Sequence, residues 1–219
     1  MTKQLSLKFR LDAHTRLEDY VGDAAARLSS LDGLVVLRGE PSSGKTHLLQ
    51  GLCHEAESRN QLSIYLPELG TLHPDVLIGI ESSDLVCLDD IGSVFSTRQW
   101  QESLFHLINA CKDSAATLVL GDVPELSAVP DLLPDLASRL NAAYSLQTDV
   151  LNDADKLDVI RRKAAQCGFD MPEEVCRFIL SRAPRDMNHL AALVMRLDEE
   201  SLSRQKKVTI PFVKTALGL

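Results

Sequence analysis

The sequence predicts an α/β protein, a doubly wound, parallel five-stranded sheet followed by a small all-helical domain. Three observations carry this expectation. Short apolar runs between Leu34 and Gln147 are flanked by polar or turn residues, as strands buried on both faces of a parallel sheet are. Helical periodicities stand between those runs, which gives a β-α-β-α rhythm. Beyond Gln147 the strand-like runs stop and only helical patterns continue.

The chain opens with MTKQLSLKFR, in which Leu5, Leu7 and Phe9 alternate beside Gln4. Alternation fits a half-buried strand, and it equally fits a short extended peptide that docks in a partner's pocket. The expected strands are LVVLR (34–38), LSIYLP (62–67), DLVCLD (84–89), TLVLG (117–121) and AYSLQ (143–147). Leu48, Leu49, Leu52, Cys53 and Ala56 line one helical face, and Trp100, Leu104, Leu107, Ile108 and Cys111 line another. In the last third, Asn152 or Asp153 caps one helix and Pro172 takes the first helical position of the next. Leu190, Leu193, Val194 and Leu197 follow at i, i+3, i+4 and i+7. The expected domains are an extended segment over 1–10, an α/β domain over 11–149 and a helical domain over 150–219.

Composition narrows the function. With 219 residues, 45% apolar and 25% charged, the chain can bury a core. Its net charge of −8, from 23 basic and 31 acidic residues, argues against a general attraction to nucleic acid. No apolar run reaches the ~18 residues of a membrane span, and the start has no secretory h-region, so a cytoplasmic protein is expected. Cysteines 53, 87, 111, 167 and 176 form no C-x-x-C pair, and no histidines stand at metal-ligand spacing. They read as reduced, mostly buried residues.

GEPSSGKT, the octet Gly39, Glu40, Pro41, Ser42, Ser43, Gly44, Lys45 and Thr46, follows a strand and opens a helix that continues with His47. That is the pattern and the context of a P-loop. Glycines let backbone N–H groups turn inward around phosphates at the positive end of a helix. Lys45 would reach the β/γ-phosphates and the Thr46 hydroxyl would ligate Mg²⁺. LVCLDDI ends a strand on Asp89, placed to hold Mg²⁺ through water, while Asp90 would orient or deprotonate the attacking water. Asp122, after the next strand, is either a sensor of the γ-phosphate or a turn former before Pro124. Arg139 in LPDLASRL and Arg185 in APRDMNHL stand out by their position relative to these motifs.

Together the P-loop, the Asp-Asp strand end, Asp122, SRL before the fifth strand and PRD-M in a helical lid resemble the AAA+ ATPases of the branch that contains the replication initiator DnaA. The resemblance is closer still to the DnaA-related regulators of initiation, and it covers nearly the whole chain, including the closing KVTIPFVKTAL. It implies that ADP or ATP binds with Mg²⁺, that Asp122 is sensor 1, Arg139 the arginine finger and Arg185 sensor 2. RLEDYVGD is similar to the segment lining the adenine pocket, which selects Tyr20 and Val21. QLSLKF resembles the hexapeptide by which replication proteins bind the polymerase sliding clamp, with Gln4 at the pocket rim and Leu5, Leu7 and Phe9 as its apolar residues.

The implied function is that of a regulator docked on the clamp. It would present Arg139 in trans to ATP held by DnaA, stimulate hydrolysis and so inactivate DnaA, with weak ATPase activity of its own. A homodimer is compatible with it. DnaA continues beyond its lid into a DNA-reading domain, so no sequence-specific DNA binding is expected of a chain ending at Leu219, and RQKK (204–207) reads as a solvated helix end. The rival from another class is a DnaC-like helicase loader acting on single-stranded DNA. That role calls for a longer N-terminal extension and more aromatic residues than 5%.

Overall fold

The computed structural model describes residues 11–218; the segment with Gln4, Leu5, Leu7 and Phe9 lies outside them, and with it both readings of its alternation. The chain forms two compact units. One comprises residues 11–18, 24–39 and 45–148, and the other residues 19–23, 40–44 and 149–218. The helical unit thus takes in two short segments, around Tyr20 and within the P-loop, as well as the C-terminal third.

The first unit is built on the expected sheet. β1 (Leu34–Arg38), β2 (Ser63–Leu66), β3 (Leu85–Leu88), β4 (Thr117–Gly121) and β5 (Tyr144–Gln147) pair in parallel in the order β2-β3-β4-β1-β5. Parallel strands need crossovers, and helices supply them. α2 (Lys45–Ser58) buries Leu48, Leu49, Leu52, Cys53 and Ala56, and α3 (Arg98–Ser114) buries Trp100, Leu104, Leu107, Ile108 and Cys111. Two shorter helices, α1 (Ala24–Leu28) and α4 (Pro134–Asn141), complete the unit.

Strand alternation decides what each face meets. Leu66, Val86, Leu88, Leu118 and Leu120 join α3 and α4 in one core cluster. The intervening residues face α2. Ser63 donates to the Cys53 carbonyl, Gln50 donates to the Tyr65 hydroxyl, and Gly121 lies against Leu49. Tyr65 and Cys87 are register partners, so Asp89, two residues beyond Cys87, continues on the α2 side.

The helical unit contains α5 (Asp153–Gln166), α6 (Glu173–Arg182), α7 (Met187–Arg204) and α8 (Ile210–Leu217), packed around Ile160, Val175, Ile179, Leu190, Val194, Leu197 and Val213. Leu193 lies at the edge of that core. Asn152 caps α5 in a reciprocal box with Asp155, Asp186 caps α7 and Thr209 caps α8. Pro172 departs from the expected first helical position: it is the N-cap of α6, with ψ 144°, and its carbonyl accepts from Val175 and Cys176 at 2.9 and 3.1 Å. Fixing φ suits both positions, and ψ makes the difference. No described helix is long and apolar enough to cross a membrane.

Candidate functional site

In a parallel sheet the C-terminal strand ends share one edge, and the polar residues just past them collect there. In the sheet unit that edge gathers Gly39 after β1, Asp89 after β3 and Asp122 after β4, opposite the first turn of α2. Lys45, only 5% exposed, donates to the Gly39 carbonyl at 2.9 Å and forms an ion pair with Asp122 at 3.0 Å. Thr46 Oγ1 donates to Asp89 Oδ2 at 2.7 Å. The Tyr65 hydroxyl donates to the same oxygen at 3.0 Å, and the Asp90 backbone N–H donates to Oδ1 at 3.0 Å. Burial and the Asp89 charge raise the Tyr65 phenol above its ordinary range.

Asp90 and Asp122 both leave their strands with left-handed backbone, φ 55° and 56°, a region where aspartate is among the few tolerated non-glycine residues. The Asp90 side chain is exposed and makes no hydrogen bond or ion pair among the described residues. His47 Nε2 lies 2.7 Å from the Arg16 carbonyl oxygen, and therefore carries its proton toward it; His54 holds the Asp12 carbonyl at 2.9 Å in the same way. These histidines fasten residues 12–16 along α2.

The helical unit holds the rest of the P-loop and its neighbours. Ser42 and Gly44 have φ 60° and 87°. A Cβ on Gly44 would meet the Tyr20 ring at 3.0 Å. The Tyr20 hydroxyl reaches the Ser43 carbonyl at 3.5 Å and accepts from the Asp149 N–H at 3.3 Å; burial pushes its pKa up to about 12. Val21 is half-buried, while Glu40 and Pro41 are exposed. Asp186 is held below the usual carboxylate range by hydrogen bonds from Ser42 and from the His189 backbone, the latter at 2.9 Å.

Two arginines complete the predicted set. Arg139, on α4 of the sheet unit, is half-buried, and its side chain makes no hydrogen bond or ion pair among the described residues. Arg185 precedes α7 and grips both oxygens of Asp153, at 3.0 and 3.1 Å. The clamp-binding candidates Gln4, Leu5, Leu7 and Phe9 lie outside the described residues. Sequence reasoning missed Tyr65, Asp153 and the Ser42–Asp186 bond. Tyr65 had left a trace, as a tyrosine whose polar tip stands between Ile64 and Leu66 in a strand.

The chemistry of the donors fits a phosphate with a hard divalent cation. Thr46 and Asp89 offer oxygen to a cation that keeps several waters, and the Lys45 ammonium lies beside the start of α2, where N–H groups favour anions. Among the described residues no cluster of three or more His, Cys, Asp or Glu side chains offers a denser metal cage.

A P-loop on a parallel sheet of this order, with a four-helix unit beyond it in sequence, is the AAA+ fold. Solved structures share the fold. Domain III of the replication initiation protein DnaA from Thermotoga maritima aligns with a TM-score of 0.76 at 18% identity, over 95% of this chain and 98% of that one. AMPPCP-bound DnaA from Aquifex aeolicus aligns at 0.66 and 19%, over 89% and 70%. The RuvB Holliday junction branch migration motor of Thermotoga maritima aligns at 0.62 and 18%, over 92% and 66%. Residues 153–217 match the family model of the Hda lid domain. Residues 153–217 are thus similar to the Hda lid domain, and the chain shares the fold of DnaA domain III.

Proposed function

We propose that this protein binds ADP or ATP with Mg²⁺ at its P-loop and regulates replication initiation by acting on DnaA. Lys45 would give up its bond to Asp122 for the phosphates, and Thr46 and Asp89 would hold the cation, which supplies neutralisation of phosphate charge. Tyr20 and Val21 are assigned to the adenine, Asp90 to the attacking water, Asp122 to sensor 1 and Arg185 to sensor 2. Gln4, Leu5, Leu7 and Phe9 are assigned to the sliding clamp.

In this reading Arg139 is a trans arginine finger that completes the ATP site of DnaA, and the resulting hydrolysis inactivates DnaA. The observation that carries the DnaA connection is the Hda lid match over residues 153–217. A half-buried guanidinium without a described partner in its own chain is consistent with it, because a finger must be left available to a neighbour. An arginine supplied in trans is worth roughly 10³–10⁵ in rate in GTPases.

The test is phosphate release from DnaA-ATP in the presence of clamp-loaded DNA. Wild type should stimulate it. Arg139→Ala should bind ADP and clamp normally and stimulate nothing, and Arg139→Lys should rescue little because it lacks the planar fork. Full stimulation by Arg139→Ala would overturn the assignment. Failure of the wild type, together with binding to the replicative helicase, would favour the loader.

A further inference from the structure

We infer that Tyr65 is a positioning residue for the divalent cation: its hydroxyl fixes the Asp89 carboxylate in the orientation that leaves one lone pair free for a metal-bound water. The inference rests on the reading above that a nucleotide and Mg²⁺ occupy the P-loop.

An ionised carboxylate offers roughly four acceptor positions. At Asp89, Oδ2 accepts from Thr46 Oγ1 at 2.7 Å and from Tyr65 at 3.0 Å, and Oδ1 accepts from the Asp90 N–H at 3.0 Å. One acceptor position remains, on Oδ1. The carboxylate is 5% exposed, so bulk water does not fill in for a lost donor.

Thr46 has a second task, because its oxygen is also the expected cation ligand. Its hydroxyl proton must stay on Asp89 while its lone pairs turn to the metal. Tyr65 and the Asp90 backbone are then the two donors with no other duty toward the cation, and only Tyr65 is a side chain. Gln50, on α2, donates to the Tyr65 hydroxyl at 3.4 Å and restrains it in turn. Gly121 leaves the space beside Oδ1 open, since any Cβ there would stand 3.0 Å from that oxygen and 2.9 Å from Leu49. Without the phenol, Asp89 can rotate about its Cβ–Cγ bond and spoil the geometry that a cation with strict octahedral preference demands.

The experiment is a split of ADP affinity into its Mg²⁺-dependent and Mg²⁺-independent parts, using Tyr65→Phe, which keeps the ring and removes only the oxygen. ADP dissociation constants are measured with saturating Mg²⁺ and with EDTA, and the half-saturating Mg²⁺ concentration is titrated at fixed ADP. Outer-shell partners of metal ligands are worth about 10–100-fold in metal affinity. Tyr65→Phe should therefore raise the half-saturating Mg²⁺ at least several-fold while leaving the affinity in EDTA as in wild type. A purely structural role would weaken both conditions alike. Should Tyr65→Phe not fold, Gln50→Leu removes the restraint on the phenol and should give the same loss in smaller measure. Unchanged Mg²⁺ dependence in a folded Tyr65→Phe overturns this inference alone. Absence of any Mg²⁺ dependence in wild type overturns the metal reading, and this inference with it.

Discussion

In the sheet unit Lys45 and Asp89 are withdrawn from water, each 5% exposed, and their partners are backbone groups, hydroxyls and the half-exposed Asp122. In the helical unit the ion pairs ride on helix surfaces. Arg162–Asp158, Arg177–Glu173 and Arg204–Glu200 are all i,i+4 neighbours with substantial exposure. Pairs of that kind stabilise by a few tenths of a kcal/mol and weaken with salt. The comparison separates exposed pairs along a helix, which Arg59–Glu55 and Arg98–Glu102 also form in the sheet unit, from the withdrawn charges beside the P-loop. It also picks out Arg185–Asp153, which joins the start of α5 to the loop before α7 and does not follow helix spacing.

The largest expected effect breaks the sheet unit's side of the comparison. Lys45→Ala should abolish the rise in melting temperature on adding ADP, which at a thousand times Kd corresponds to about 4 kcal/mol for a ligand that binds only the native state. Differential scanning fluorimetry with and without ADP reads it directly. A variant that kept the wild-type shift would show that Lys45 does not hold phosphate.

Next in size is a change that acts on the helical unit through packing. Ile179 is fully buried among Val175, Leu190 and Val194. Ile179→Ala should cost about 3 kcal/mol by loss of burial and a residual cavity. Amide exchange should accelerate in α5–α8 well before it does in β1–β5, with the binding of ADP measurably weaker only if the helical unit takes part in it.

Alkaline pH should act on both units alike. Burial pushes the thiols of Cys111 in the sheet unit and Cys176 in the helical unit up to about 11, from an ordinary 9.0. A raised pKa means that the folded state favours the neutral thiol. That stability is fully present below pH 9 and is lost as pH rises through 11, by at most about 2.7 kcal/mol per thiol. Denaturant midpoints measured from pH 8 to 11 should fall, and Cys111→Ala or Cys176→Ala should each flatten the slope.

How far the sequence could foresee these differences depends on the range of the contacts. All five strands and both main helical faces of the sheet unit were visible, because β1, β3 and β4 are buried and almost wholly apolar, the edge strands β2 and β5 still carry Leu66 and Leu146 inward, and α2 and α3 carry clean stripes. The P-loop was visible for a similar reason: Gly39 to Thr46 is contiguous. Thr46 and Asp89 were each selected from a motif, and their hydrogen bond is seen only in the fold. Tyr65 on Asp89 and Tyr20 on Asp149 span 24 and 129 residues and belong to no motif, so only the folded chain reveals them. The same holds for the grouping of 19–23 and 40–44 with the helical unit. Pro172 was displaced by one position because proline fixes φ alone, and the choice between N-cap and first turn lies in ψ.

The smallest effect tests the exception, Arg185–Asp153. Both side chains are more than half exposed, so solvent screens the pair although Nη1 reaches both carboxylate oxygens, and the coupling from a double-mutant cycle should stay below about 1 kcal/mol. Asp153 also stands in the first turn of α5, where a negative charge favours the helix dipole, so Asp153→Ala should cost slightly more than Arg185→Ala when no ligand is present. Adding ADP or ATP should reverse that ranking. If Arg185 is sensor 2, its removal lowers the ligand-induced rise in melting temperature, whereas Asp153→Ala leaves that rise intact or increases it by releasing the guanidinium from its present partner. Equal ligand shifts in the two variants would return Arg185 to the class of surface pairs that Arg162, Arg177 and Arg204 occupy.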